Sequence, residues 1–484
     1  MKSLAFRTSG SDHPKRTQVS FSHVAPLLGT SLVIGAGGGF VLATVLTLSR
    51  ALGIPEGGWW EATVQAHGHL QLYGWAGLFV LGVAFHFLPR LRGAPLAFPG
   101  LLPWFVALQI AALLLRSVSE PLAVVTGAGV WRAGLVASGV FEAVALGCAL
   151  AIVAGTVRYG PPLATRPALW SVLPLLLCAF TSLGMAAVTN LDNTIRAAGS
   201  ASSLVPPNGD ALNVTLGLFG FLVPMALAMS ARALPLYAGL DAFPRRPLWI
   251  AAWIYVAGLA LACVGAAAGE NAAALMGWGL AAMGTTLVYF VVAFVRLMRG
   301  RGHLPRRVAE LAPQPEAVER AYVAQVARGR NAYGPFVALV ASAYMWALLG
   351  GLLLLADGAA LALGQTPPVA FDAARHALAL GFIALLICGV APRMLPGFSG
   401  GHIASPRLVT ATLWLGNAAA LLRVGSLLLA PPLAALGPAG TALDTALFGL
   451  SGPLGLALAL CLLANLWPAI WPATRVFRHM PAHS

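Results

Sequence analysis

Charge is scarce in this sequence. Only 9 % of its 484 residues are Asp, Glu, Lys or Arg, whereas soluble domains carry roughly 25 %. Too few polar side chains are present to coat a water-soluble body of this length. Cysteine is sparse as well: Cys148, Cys178, Cys263, Cys388 and Cys461 stand alone in apolar stretches, with no CxxC or metal-type pair. They read as small core residues. A cleavable signal is not evident either, because about twenty polar residues precede a first apolar run too long for a signal-peptide core.

Hydrophobic residues dominate, at 59 %, and they are gathered into runs. A crossing of the hydrocarbon core needs about 20 apolar residues. Twelve such runs lie near 24–49, 60–88, 98–116, 130–157, 168–189, 211–234, 246–267, 271–297, 331–357, 371–396, 406–428 and 441–470. The sequence therefore predicts an all-α polytopic membrane protein. One twelve-helix transmembrane domain spans 24–470, between a tail at 1–23 and a tail at 471–484.

The formal charge of +14 sits mostly in short loops, the pattern of a membrane protein rather than of a groove for nucleic acid. The two tails and the even-numbered loops collect all but six of the 29 basic residues, the exceptions being Arg50, Arg116, Arg132, Arg196, Arg375 and Arg423. Both termini are therefore expected in the cytoplasm. The loop 298–330 is long, polar and Arg-rich, and suits a solvated connector or an amphipathic helix on the membrane surface.

An internal repeat organises the spans. His69-Leu-Gln-Leu-Tyr-Gly74 runs on to Gly82-Val83-Ala84 and Leu88-Pro89. His376-Ala-Leu-Ala-Leu-Gly381 runs on to Gly389-Val390-Ala391 and Leu395-Pro396, with eight of 21 positions identical and no gap. A fainter copy leads from Thr215 through Gly220 to Leu234-Pro235. The copies fall on spans 2, 6 and 10, so three pseudo-symmetric four-helix units are expected. Each Leu-Pro pair is expected to close its helix. The basic residue three before the proline recurs as His86, Arg232 and Arg393, which makes His86 an interface anchor.

Ionisable residues inside spans are costly and usually functional. His69 and His376 head equivalent repeats at similar depth, and two facing imidazoles suit the axial positions of a haem iron. Zinc normally takes three or four protein ligands, which the other histidines in the spans do not obviously supply. Gln65 and Asp372 each precede one of the pair by a turn and could orient its ring. Arg375, Arg50 and Arg423 are candidates to pair with haem propionates. His67, two residues from His69, points nearly the opposite way on a helix; it faces either a second metal or the aqueous boundary. Glu142, near the middle of span 4, is a candidate proton-path residue. Asp192 and Asn193 read as an outer turn, and Gly35-Ala-Gly-Gly-Gly39 as helix packing rather than a phosphate loop.

The stretch His67-Gly-His69, with Arg375-His376-Ala-Leu and the later Gly-Val-Ala-Pro-Arg, resembles the NnrS family of polytopic bacterial membrane proteins. That resemblance implies haem b and copper as cofactors, a place in the cytoplasmic membrane and a link to nitric oxide. A more distant likeness is to subunit I of haem–copper oxidases and nitric oxide reductases. There, spans 2 and 10 supply the low-spin haem ligands, corresponding here to His69 and His376. Those enzymes also need histidines on helices 6 and 7 and a second on helix 10, and this chain has none there. A copper ion would need an unusual site around His67. Three functions are therefore expected candidates: an NnrS-like haem protein in nitric oxide response or electron transfer, a divergent oxidase-like subunit fed by quinol or a cytochrome, or a cofactor-free transporter.

Overall fold

A computed structural model describes residues 21–162, 167–238, 240–299 and 332–471, besides three isolated positions between 300 and 331. Nearly all of the 298–330 loop, the first twenty residues and the tail after 471 lie outside the described residues, and with them the expected surface helix. Among the described residues, eleven continuous helical stretches are long and apolar enough to cross a membrane. One of them, Arg245–Arg299, is a hairpin: Gly269, at φ +64°, opens a 3-10 turn over Gly269–Ala272 that reverses the chain. Twelve crossings result.

They are α1 (Phe21–Ala51), α2 (Gly58–Arg92), α3 (Leu101–Thr126), α4 (Gly129–Arg158), α5 (Leu173–Gly199) and α6 (Pro207–Pro235). The second half adds α7 (Arg245–Ala268), α8 (Ala273–Arg299), α9 (Phe336–Ala362), α10 (Phe371–Ser399), α11 (Pro406–Ala434) and α12 (Pro438–Ile470). In the most apolar stretch of α2, α6 and α10, 83 %, 78 % and 78 % of residues are buried, against 28–56 % in the others. The second helix of each set of four is thus an inner helix. The last helix of each set packs on the first of the next, as α4–α5, α8–α9 and α12–α1. The repeat in the sequence is a threefold arrangement in space.

The inner helices share a second feature. Each switches to π-helical winding at the head of its repeat: Leu70–Ala76, Thr215–Leu222 and Ala377–Ala384. Such i→i+5 segments are rare and concentrate at functional sites. On α6 the widened turn is braced from outside. Tyr73, Tyr255 and Cys178 donate to the carbonyls of Asn213, Phe219 and Gly220 at 3.0, 2.7 and 3.7 Å. A fourth π segment, Gly35–Gly39, lies on α1. Its glycines let α2 approach, since a Cβ at Gly35 would sit 2.3 Å from the Trp75 indole and one at Gly39 3.0 Å from the Gln71 amide.

Several expected boundaries move. The Leu-Pro pairs do not close their helices. Each helix runs on for three residues past the proline, to Arg92, Ala238 and Ser399, and Gly93 and Gly400 then leave in the left-handed conformation. A proline so near a C-terminus removes one hydrogen bond without forcing the chain out of helix. Helix α3 continues past Arg116 and through Pro121 to Thr126, and α5 continues through Asp192 and Asn193 to Gly199, so the expected outer turn at Asp192 and Asn193 is helix. His86 is buried against other side chains, stacked on Phe398 at 4.0 Å and edge-on to Phe21.

Candidate functional site

A cavity of about 460 Å³ opens at the head of the repeats, between α1, α2, α6, α10, α11 and α12, with Arg116 of α3 and Asn190 and Asn193 of α5 also on its wall. That is in the range of small-molecule sites. His67, His69, His376, Arg50, Arg375 and Arg423 all line it, so residues scattered over the whole sequence meet at one place.

The three histidines are held differently. His67 Nδ1 lies 2.8 Å from the Gly39 carbonyl, at the end of the α1 π segment. A carbonyl can only accept, so this nitrogen carries the hydrogen and the neutral ring has its lone pair on Nε2. His376 is arranged the same way: Nδ1 is 3.0 Å from the Asp372 carbonyl and 3.1 Å from its carboxylate. Neither Nε2 makes a hydrogen bond among the described residues. His69 is the reverse. Its Nε2 is spent on the Glu142 carboxylate at 2.9 Å, and its ring tilts against Tyr73 at 4.8 Å. The sequence paired His69 with His376. His67 has the same arrangement as His376, with Nδ1 held, while His69 is turned toward α4, because the two-residue offset sends one helix-2 ring toward α1 and the other toward α4.

Behind His69 lies a buried polar network that the sequence did not reveal. Glu142 of α4 also accepts from Gln109 of α3 at 3.2 Å and from the Asn190 amide of α5. Asn190 in turn accepts from Arg116 at 2.8 Å, and Arg116 pairs with Glu120 one turn on at 2.6 Å. All five groups are at most 3 % exposed. Burying charges without partners is prohibitive; here each carboxylate finds its donors on neighbouring helices or one turn away. The available signal was Arg116 and Glu120 four residues apart, the spacing of an ion pair on one helix face. Gln65 does not orient His69: its amide makes two 3.2 Å bonds with the backbone of Val205.

The opposite wall is cationic. Arg423 pairs with Asp372 and lies over Phe448 at 4.5 Å, and Arg375 lies over Phe371 at 4.8 Å. Arg50 reaches Glu56 at 2.9 Å and sits over Phe448 at 5.1 Å. Among the described residues, Arg375 Nε, Arg423 Nη1 and the Trp60 indole N–H are buried without a partner. Three orphaned donors beside an aromatic-lined cavity are a built cradle for an anionic group. Among the described residues no three His, Cys, Asp or Glu side chains cluster as metal ligands.

Twelve crossings, three equivalent units and a cavity headed by histidines of two inner helices define a polytopic membrane protein built around an inner trio of helices. The fold resembles that of a haem–copper terminal oxidase. A haem–copper terminal oxidase dimer solved by cryo-electron microscopy matches over 94 % of this chain and 84 % of its own, with a TM-score of 0.53. At 11 % identity the likeness is one of fold. No protein-family model matches the chain, and no curated protein sequence does.

Proposed function

We propose that the chain is a haem-binding protein of the bacterial cytoplasmic membrane, acting in respiratory electron transfer or nitric oxide response, with the iron between His67 and His376. One observation carries this reading: two histidines on equivalent inner helices line one cavity, each with Nδ1–H held and Nε2 bare. Holding the far ring nitrogen on a carbonyl or carboxylate fixes tautomer and orientation, and is the usual support of a metal-ligating histidine. The unpartnered donors of Arg375, Arg423 and Trp60 suit the propionates, and Arg50 stands beside them.

Bound haem supplies one-electron redox chemistry. The chain's own part would be to fix both imidazoles and neutralise the propionates, with Arg116 and Asn190 of the Glu142 network also on the cavity wall. Haem held by both His67 and His376 would be a one-electron carrier, which favours electron transfer from a quinol or cytochrome donor over direct binding of nitric oxide. The fold supports a second, overlapping reading, a divergent oxidase-like subunit without the usual copper centre. The basic residues favour a cytoplasmic position for both termini.

The test is the reduced-minus-oxidised absorbance spectrum of the detergent-purified protein. Sharp low-spin b-type bands are expected. A colourless protein after expression with ample haem would overturn the proposal and leave a cofactor-free transporter in front.

A further inference from the structure

His67 and His376 are held by unequal partners. His67 gives its Nδ1–H to the Gly39 carbonyl alone among the described residues. His376 meets Asp372, one turn earlier on α10, twice over: Nδ1 is 3.0 Å from the Asp372 carbonyl and 3.1 Å from carboxylate Oδ1. The other carboxylate oxygen, Oδ2, accepts from the Arg423 guanidinium of α11. Arg423 also lies over Phe448 of α12 at 4.5 Å, and among the described residues its Nη1 is buried without a partner. One carboxylate thus joins an imidazole on the cavity wall to a cation of the anion cradle, whereas His67 rests on a neutral carbonyl.

A carbonyl and a carboxylate do different things to a ring that holds a metal. Both fix its tautomer, but only the carboxylate brings a charge, and charge-assisted hydrogen bonds are roughly twice as strong as neutral ones. A carboxylate on Nδ1–H makes the ring more basic at Nε2. A more basic ligand favours ferric over ferrous iron, because the ferric ion carries one more positive charge, and hydrogen bonding behind the ligand is one of the levers on haem potential. Arg423 works against this effect by drawing on the same carboxylate. We infer that Asp372 is a positioning residue that makes His376 the stronger of the two ligands and lowers the reduction potential of the haem, and that Arg423 moderates it. The inference rests on the haem reading of this cavity. An anion docked on the cradle competes with Asp372 for the Arg423 guanidinium, so the cradle and the ligand are coupled, and the coupling is reciprocal.

Redox titration of the detergent-purified full chain, followed by absorbance, is the test. Asp372→Asn keeps the size of the side chain and leaves the backbone carbonyl to receive Nδ1–H, so the ring stays oriented and only the charge is removed. Haem is expected to stay bound and its potential to rise. A tenfold weaker preference for ferric over ferrous iron corresponds to about 59 mV for one electron, and a rise of about that size is expected. Asp372→Glu, which returns the carboxylate, should recover most of it. Arg423→Gln should lower the potential, and by less in the Asp372→Asn background, where the part carried through the carboxylate is gone. A haem-loaded Asp372→Asn protein at the wild-type potential would overturn the inference, since a merely structural Asp372 predicts that result. An Arg423→Gln shift of equal size in both backgrounds would overturn it too. Should Asp372→Asn fail to fold, Arg423→Gln at an unchanged potential still does so. A colourless wild type takes down the haem reading and this inference together, whereas a coloured protein with unmoved potentials takes down this inference alone.

Discussion

Replacing the two helix-2 histidines separately gives opposite outcomes if the ring orientations are right. His67→Ala removes the imidazole whose Nε2 faces the cavity and whose Nδ1 is held by Gly39. Loss of an outer-shell partner alone costs about 10–100-fold in metal affinity, so deleting the ligand itself should lower bound haem by at least about that factor. His376→Ala should do the same. His69→Ala leaves both proposed ligands in place, and its cost is expected to appear as stability. Glu142 loses one of three donors but keeps Gln109 and Asn190. A lost hydrogen bond to a charged group costs about 1.5–3 kcal/mol. The cavity reaches His69, so water can replace part of that bond and the lower end is expected. His69→Gln, which restores an N–H donor, should recover most of it. The assay is the haem-to-protein ratio from the reduced spectrum beside thermal unfolding in the same detergent. A colourless His69→Ala protein, beside a His67→Ala protein with intact low-spin bands, would refute the assignment and return the ligand to His69.

Two further outcomes test the fold. Arg116→Ala strands the Glu120 carboxylate in the bundle and should destabilise by about 3–5 kcal/mol, with Arg116→Leu combined with Glu120→Leu regaining most of the loss; chemical unfolding of the purified protein measures both, and a neutral Arg116→Ala would show the pair to be solvated. Gly279→Ala places a Cβ 2.5 Å from the Gly258 carbonyl and from Ala262 N. Backbone cannot step aside as a side chain can, so about 1–3 kcal/mol is expected, read as a lower melting temperature; an unchanged melting temperature would refute the close approach of α7 and α8.

The helix count, the triple repeat and the meeting of six distant site residues were legible because each is written in local chemistry: apolar runs, a shared histidine head, basic residues at the ends of spans. The illegible part depends on neighbours. Nothing near His67 in sequence announces the Gly39 carbonyl, and nothing near His69 announces Glu142, since both partners come from other helices. Arg116 read as the end of a span because a charge and then Pro121 come after the apolar run; the structure carries the helix past both, since Glu120 neutralises the arginine one turn on. Asp192 and Asn193 looked like turn residues for the same reason. In the helix, Asn193 is buried while Asp192 pairs with Arg196 at the surface.

The π segments of the inner helices are in effect one-residue insertions kept in place. Each additional residue in an α-helix turns the rest of the chain by about 100°, so the histidine end and the proline end of α10 are in phase only because Ala377–Ala384 is overfilled. Removing one residue from that stretch would let it relax to ordinary winding and swing His376 away from the face that its inner half still presents. Along these three helices the natural unit of variation is therefore a residue gained or lost rather than one exchanged. Related chains should differ there by gaps of one, placed between the head of the repeat and its Leu-Pro, with ligand and packing faces each conserved on its own side of the gap.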